Sequence, residues 1–414
     1  MRNSPETGQN ARYIDVLTLP QVPRTFLSAL LARSAYALVI LPLFFAVQAT
    51  SGSVATAGIA VASYGATASF LAPLRARLID RHGRQIVLVL LALAFGGCIA
   101  ALAVGALVSW NGAVMVVLAA LAGAVAPPVG PSMRVAWSAL APQPALLRKA
   151  LSFDSVVEEL LYLVGPAASG FALSVLAPGF VLLVPAVLVI AGTFIFVSSP
   201  AIRRVPTPME SAKPAQSAQR RPSLLGNPEF IALLLPAVVA GLISGNLTIS
   251  IPAAFPGTSG AAAAGIVLGL FAGGSAVGGL IFGALPIAGR PRFQVIVIAL
   301  ILSCLSTLVG VTSALGGNAV MLAFAIVLAG LFFSPVMIVA YFGANDFGGD
   351  TRKTESTTWV NTSHNIGGAL GSAIAGIVIQ ASAVPQSFFV AGAISLALLI
   401  AAGVLASRKV HPSA

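Results

Sequence analysis

"IVLVLLALAFGGCIAALAVGALVSWNGAVMVVLAALAGAVAPPVGPSM", residues 86–133, carries no charged side chain and lies between Arg84 and Arg134. The hydrocarbon core of a bilayer is about 30 Å thick and takes roughly 20 apolar residues of helix. This stretch is long enough to cross twice, and "SWNG" (109–112) in its middle supplies a turn. Arginine stands at both outer ends and not at the turn. The segment therefore reads as a membrane helical hairpin with its open ends on one side.

The same pattern extends over the chain. Of 414 residues, 58% are hydrophobic and 8% charged, where a soluble protein has about a quarter charged. Twelve apolar spans can be drawn, at 25–48, 54–74, 86–108, 113–133, 152–175, 178–198, 229–253, 261–285, 293–313, 319–342, 355–380 and 388–406. The cations outside them fall at the N-terminal tail, 75–84, 134–149, 203–221, 290–292, 352–353 and 408–409, all on one face. The opposite loops ("ATSGS", "SWNG", "PGTSG", "LGGN", "AVPQS") carry no charge. By the positive-inside rule both termini are expected in the cytoplasm. The net charge of +11 thus reflects membrane orientation, and no nucleic-acid partner is expected.

The expected architecture is an all-α integral membrane protein with two pseudo-symmetric six-helix halves. Residues 1–24 read as a cytoplasmic tail with no cleavable signal peptide, 25–198 as the first half and 229–406 as the second, with 407–414 as a short cytoplasmic tail. Between the halves, 199–228 is rich in Pro, Ser, Gln and basic residues and reads as a flexible cytoplasmic linker able to touch anionic lipid. "PSMRVAW" (131–137) matches "PVMIVAY" (335–341). "SVVEELLYLVGPAASG" (155–170) can be laid over "TTWVNTSHNIGGALGS" (357–372), with Gly165 on Gly367. Six helices repeated in one orientation form a parallel repeat, and such transporters place their substrate site between the halves. Spans two, five, eight and eleven are rich in small residues, which either pack statically or form the faces along which the halves move.

No P-loop, zinc-ligand spacing or nucleophile elbow is present, so neither an enzyme nor ATP-driven transport within this chain is expected, and no cofactor or metal. Cys98 and Cys304, in opposite halves, form neither a disulfide framework nor a metal site. Arginine outnumbers lysine and alanine and glycine abound, which points to a GC-rich bacterial genome and hence to a bacterial inner membrane. Trp137, Tyr341 and Trp359, near the basic ends of their spans, read as an interfacial aromatic belt.

"ARLIDRHGRQIVL" (76–88), between spans two and three, resembles motif A of the major facilitator superfamily. Leu78, Asp80, Arg81, Gly83, Arg84 and Leu88 fit it, and Ala76 replaces a glycine. The resemblance implies that Asp80, Arg81 and Arg84 form a charged loop-to-helix lock between conformations. The second half keeps a worn copy at Pro286, Gly289 and Arg290. Gly165, Pro166 and Gly170 resemble motif C of drug–proton antiporters, with Ser169 replacing a glycine and Leu161 standing for an upstream one. The antiporters' relay arginine in span four is absent, Ala119 taking its place.

Charges inside spans are costly and mark function. Arg33 lies in span one, and Glu158 and Glu159 in span five, at comparable depths of about 9–12 Å from the basic side. An Arg33–Glu158 or Arg33–Glu159 pair is therefore allowed where these spans adjoin. Glu159 is read as facing inward, with Glu158 snorkelling or meeting Arg134, and Asp154 as capping the start of span five. Such an ion pair is either permanent or a proton-coupling group. Asn361, His364 and Asn365 share one face of span eleven, with His364 a second proton-coupling candidate. Tyr36, Asn246, Asn361 and Asn365 are candidates for lining a substrate cavity. The expected function is proton-coupled efflux of a small apolar or amphipathic drug or metabolite, by a protein that works as a monomer. The alternatives are uptake or facilitated diffusion of a sugar or organic acid, with Arg33 holding the anionic group, and a non-transporting membrane sensor.

Overall fold

The computed structural model describes residues 13–141, 143–203, 224–284, 290–317 and 319–407. Every regular element among them is a helix. Ten helices are each long and apolar enough to cross a membrane. An eleventh span is a pair, Val54–Phe70 and Ala72–His82, bent by 44°. The twelfth lies within the helical run Ala319–Ala381, which is 63 residues long. If straight, that run would hold Phe333 and His364 about 45 Å apart. Their rings lie 5.6 Å apart, so the run folds back on itself into spans ten and eleven.

The other spans are Val22–Ser51 (one), Arg84–Leu107 (three), Gly112–Ala124 with Val129–Leu140 (four), Pro144–Val175 (five) and Pro178–Val197 (six). The second half adds Pro228–Ala254 (seven), Gly257–Ala284 (eight), Pro291–Ala314 (nine) and Val384–Ser407 (twelve). Short uncharged turns set the boundaries on one side. Proline stands in the first turn of at least six of the helices, where its missing N–H is no loss. Pro127 and Pro128 break span four, since neither can donate to the helix ladder.

Two boundaries differ from those read in the sequence. Residues 134–149 are largely helical rather than a loop, because spans four and five continue past their apolar stretches. The tail before span one contains a helical turn, Tyr13–Leu17, whose Val16 is buried. Most of the linker (204–223), the worn motif at Pro286 and Gly289, and the last residues (408–414) lie outside the described residues.

The helix contacts repeat. Spans one, three and six pack together as do seven, nine and twelve, and two packs on four as eight packs on ten. Across the halves, span five packs on eight and span two on eleven, which are equivalent pairs under a parallel repeat. The glycines divide accordingly. Gly58 on span two, where an added Cβ would stand 2.7 Å from Ser372 O, faces span eleven, and Gly170 of span five abuts Ala261 of span eight. Gly241 and Gly245 instead fit span seven to span eleven within the second half.

The core shows how the halves meet. Toward the uncharged loops, the first-half core includes Ile249, Ala261 and Ala375 from the second half. Toward the basic loops, Phe26, Met133 and Trp137 belong to a core drawn from the first half alone. Trp137 is fully buried against Phe26 and is thus a core residue rather than part of an interfacial belt. Trp359 and Tyr341 likewise pack on the second-half core. The halves are sealed at the uncharged side, where Val54 N donates to Gln380 Oε1 at 2.8 Å.

Candidate functional site

A cavity of about 510 Å³ lies between the halves and adjoins one of about 390 Å³. The first half lines them with Tyr36, Tyr64, Arg75, Pro127 and Tyr162, and the second with Ser244, Thr248, His364 and Asn365. Phe271, Ser275 and Phe333 extend the wall from spans eight and ten. Apolar walls with a few convergent polar groups are the usual make-up of a small-molecule site. The cavity reaches Ala72, Pro128 and Pro131, toward the basic side.

Three of the chain's five tyrosines meet here. Tyr36 OH donates to Pro127 O at 2.6 Å, using a carbonyl in the break of span four. Tyr64 and Tyr162 were not among the residues expected here, although the scarcity of tyrosine was a usable signal. Tyr36, His364 and Asn365 line the cavity as expected. The His364 ring stands edge-on to Phe333, and its Nε2 is buried without a hydrogen bond among the described residues. Asn246 does not line it. Its side chain is buried and takes a hydrogen bond from Ser250, which in turn contacts Ser387 of span twelve. Asn361 is exposed and does not contribute to the lining.

A narrow cleft of about 130 Å³ between spans one, four and five shares Tyr36, Pro127 and Tyr162 with the main cavity. At its wall, Arg33 Nη1 donates to Asp154 Oδ1 at 2.7 Å, and Arg33 Nη2 lies 2.7 Å from Glu158 Oε2. Arg134 Nη2 donates to the same Glu158 oxygen at 2.8 Å. Asp154 is therefore no helix cap. Its helix begins ten residues earlier, at Pro144, which carries it to a fully buried place beside Arg33. Asp154 and Glu158 are four residues apart and share a helix face, so the two engage Arg33 together. The side chain of Glu159 lies outside the described residues.

Two arginines and two carboxylates make the cluster electrically neutral. Arg33 and Asp154 are almost wholly buried, whereas Glu158 is 26% exposed toward the cleft. Buried charges are tolerated when paired in this way.

A second buried cation went unremarked in the sequence, where it is one of several basic residues of a loop. Arg75 lies in the short helix after the bend of span two. Its Nη1 donates to Gly123 O at 2.9 Å and Ala124 O at 3.0 Å, and its Nη2 to Ala68 O. These carbonyls lie in the last turns of the helices of spans two and four, the end of the helix dipole that favours a cation. Arg75 thus fastens the two breaks together.

The motif A residues sit at the basic end. Gly83 joins Ala72–His82 to span three at φ +87°, ψ 138°, a backbone region essentially confined to glycine. Leu78, Asp80 and Arg81 are exposed and Arg84 half-buried. Among the described residues Asp80 makes no ion pair within 4.0 Å, while it lies near enough to Arg84 to act on it electrostatically. The motif C stretch instead builds interfaces. Gly165 admits Ala37 of span one, and Ser169 Oγ donates to Leu38 O at 3.0 Å. Pro166 and Gly170 face Gly265 and Ala261 of span eight. Among the described residues no cluster of metal-ligating side chains occurs.

The profile of the Major Facilitator Superfamily matches residues 25–285 and 233–414. None of the curated proteins compared with this sequence matches it. Among solved structures, the nucleoside transporter NupG aligns with 94% of this chain and 100% of its own, at TM-score 0.70 and 12% identity. An auto-inhibited peptide transporter of the POT family aligns over 94% and 97%, at TM-score 0.68 and 14% identity. A bacterial homologue of the iron transporter ferroportin, in an inward-facing state, aligns over 94% and 99%, at 0.65 and 17%. At such identities the likeness is one of fold.

Proposed function

This chain belongs to the Major Facilitator Superfamily, and from that premise we propose that this multi-pass membrane transporter exports a small amphipathic compound in exchange for protons. It would work by alternating access, as a monomer in a bacterial inner membrane, with both termini cytoplasmic. With that orientation the conformation described here is inward-facing, sealed at the uncharged loops and open toward the basic ones.

One observation carries the proton-coupled reading: a charge-balanced cluster, with Arg33 and Asp154 buried and Glu158 and Arg134 partly exposed, adjoins the central cavity through Tyr36 and Tyr162. A proton taken up by Glu158 would cancel one of its two negative charges and leave a net positive charge in a poorly solvated place. Such a charge is costly, so protonated and deprotonated forms favour different packings of spans one, four and five. Glu158 is the residue best placed to exchange the proton, being the exposed carboxylate of the two. Arg33 is the fixed counter-charge. His364, across the cavity, is a second proton-accepting group. The motif A loop would lock the opposite conformation, and membrane lipid would meet the basic linker.

Export of drugs or metabolites is supported by the motif C-like stretch Gly165–Gly170, which lies on the interface of the two halves with span eight. Import or facilitated passage of an organic acid is the second reading, favoured by the buried cation Arg75 at the cavity wall. Reconstitution in liposomes with an imposed pH gradient decides between them. Export predicts accumulation of a transported compound against its gradient with counterflow of protons, lost in Glu158→Gln. Full proton-linked accumulation by Glu158→Gln would remove Glu158 from the mechanism, and flux down a gradient without proton movement would favour the second reading.

A further inference from the structure

We propose that the transported compound carries a carboxylate or comparable acidic group that docks on Arg75, with its apolar part against Tyr36, Tyr162 and Phe271. This rests on the transport reading above and names the substrate class of the same cavity.

Arg33 is unavailable for this task, since Asp154 and Glu158 both engage it. Arg75 differs. Among the described residues it is the only arginine, lysine or carboxylate lining the two adjoining cavities between the halves. None of the ion pairs within 4.0 Å includes it. Its partners are three neutral carbonyls, and it is only 6% exposed. A guanidinium has five N–H donors. The three carbonyl bonds use three, and Nε is buried with no partner.

The carbonyls hold the guanidinium in one place before any ligand arrives, which lowers the ordering cost of binding. Arginine's planar fork suits a carboxylate. A single cation in a cleft with low-dielectric walls also concentrates anions there. Tyr36 and Tyr162, shared by both cavities, supply an apolar bed on the wall of the one that Arg75 lines, and Phe271 continues it in the adjoining one.

The test uses three probes of matched size: phenylbutyrate, phenylbutyramide and phenylbutylamine. Binding is read by thermal stabilisation of the purified protein and by competition. In the unmodified protein the carboxylate should bind about tenfold tighter than the amide, with the amine weakest. Arg75→Gln should abolish that preference. Ala72→Glu places a carboxylate three residues before Arg75, so it neutralises the charge while leaving the carbonyl bonds, and it should remove the preference for carboxylate over amide and amine. Should Arg75→Gln fail to fold, Ala72→Glu decides. A carboxylate bound no tighter than its amide, no binding by any probe, or a preference unchanged in Ala72→Glu would overturn the proposal. Proton-coupled flux of the amine alone would overturn it while leaving proton-coupled export intact. Flux of the carboxylate without proton movement would do the reverse.

Discussion

At the scale of single residues, the strongest constraint is the buried pairing of Arg33 with Asp154 and Glu158. Removing one partner of a buried pair leaves an uncompensated charge, at about 3–5 kcal/mol. Asp154→Asn should therefore lower the unfolding temperature in detergent clearly, and the double change Arg33→Met with Asp154→Leu should recover most of the loss. An equal fall for single and double variants would show that the pair is not what stabilises this end. The presence of an Arg33 pairing was readable because charges inside apolar spans are few. Which acid it takes was less so. Hydropathy placed the start of span five at residue 152, and that made Asp154 a terminal cap. The four-residue spacing of Asp154 and Glu158, which Glu159 does not share, was the signal that puts both on one face. Arg75 was masked by its neighbours, since a loop containing several cations looks like topology alone.

Among the elements, breaks matter as much as helices. Span two bends by 44° at Leu71, span four is interrupted at Pro127–Pro128, and Arg75 ties the two together. Gly83 ends the short helix that carries Arg75, with a backbone that a side chain resists. Gly83→Val should destabilise by about 1–3 kcal/mol, visible as a lower unfolding temperature with a folded far-UV spectrum; an unchanged temperature would mean that the turn relaxes. Helix number and order were legible from hydropathy and charge, because a bilayer dictates both. Helix ends were not. They follow proline placement and amphipathic turns beyond the apolar stretch, as at Pro144–Phe153. The small-residue spans likewise announced close packing without saying against what. The structure divides those glycines between the seam of the two halves, at Gly58 and Gly170, and packing inside the second half, at Gly241 and Gly245.

For the whole molecule, the decisive fact is the seal at the uncharged side, with span two on span eleven and span five on span eight. If the halves must separate there in each cycle, joining them covalently stops transport. Val54 N and Gln380 Oε1 are 2.8 Å apart across that seam. A Val54→Cys, Gln380→Cys pair bridged by a short thiol-reactive cross-linker that carries a cleavable disulfide should abolish flux, which reductant should restore, while each single variant remains active. Flux unaffected by the cross-link would exclude separation at this point. Parallel halves could be expected from weak internal matches such as 131–137 with 335–341; the state in which they are caught could not, because both states share one sequence. The seal has one further consequence. Opening it would wet Ile249, Ala261 and Ala375, while closing the other end would cover polar groups such as Glu158 and Asn361. Exposing apolar surface and burying polar surface both raise heat capacity. The balance between the two states should therefore curve with temperature, so that warming and cooling from some intermediate point shift it the same way.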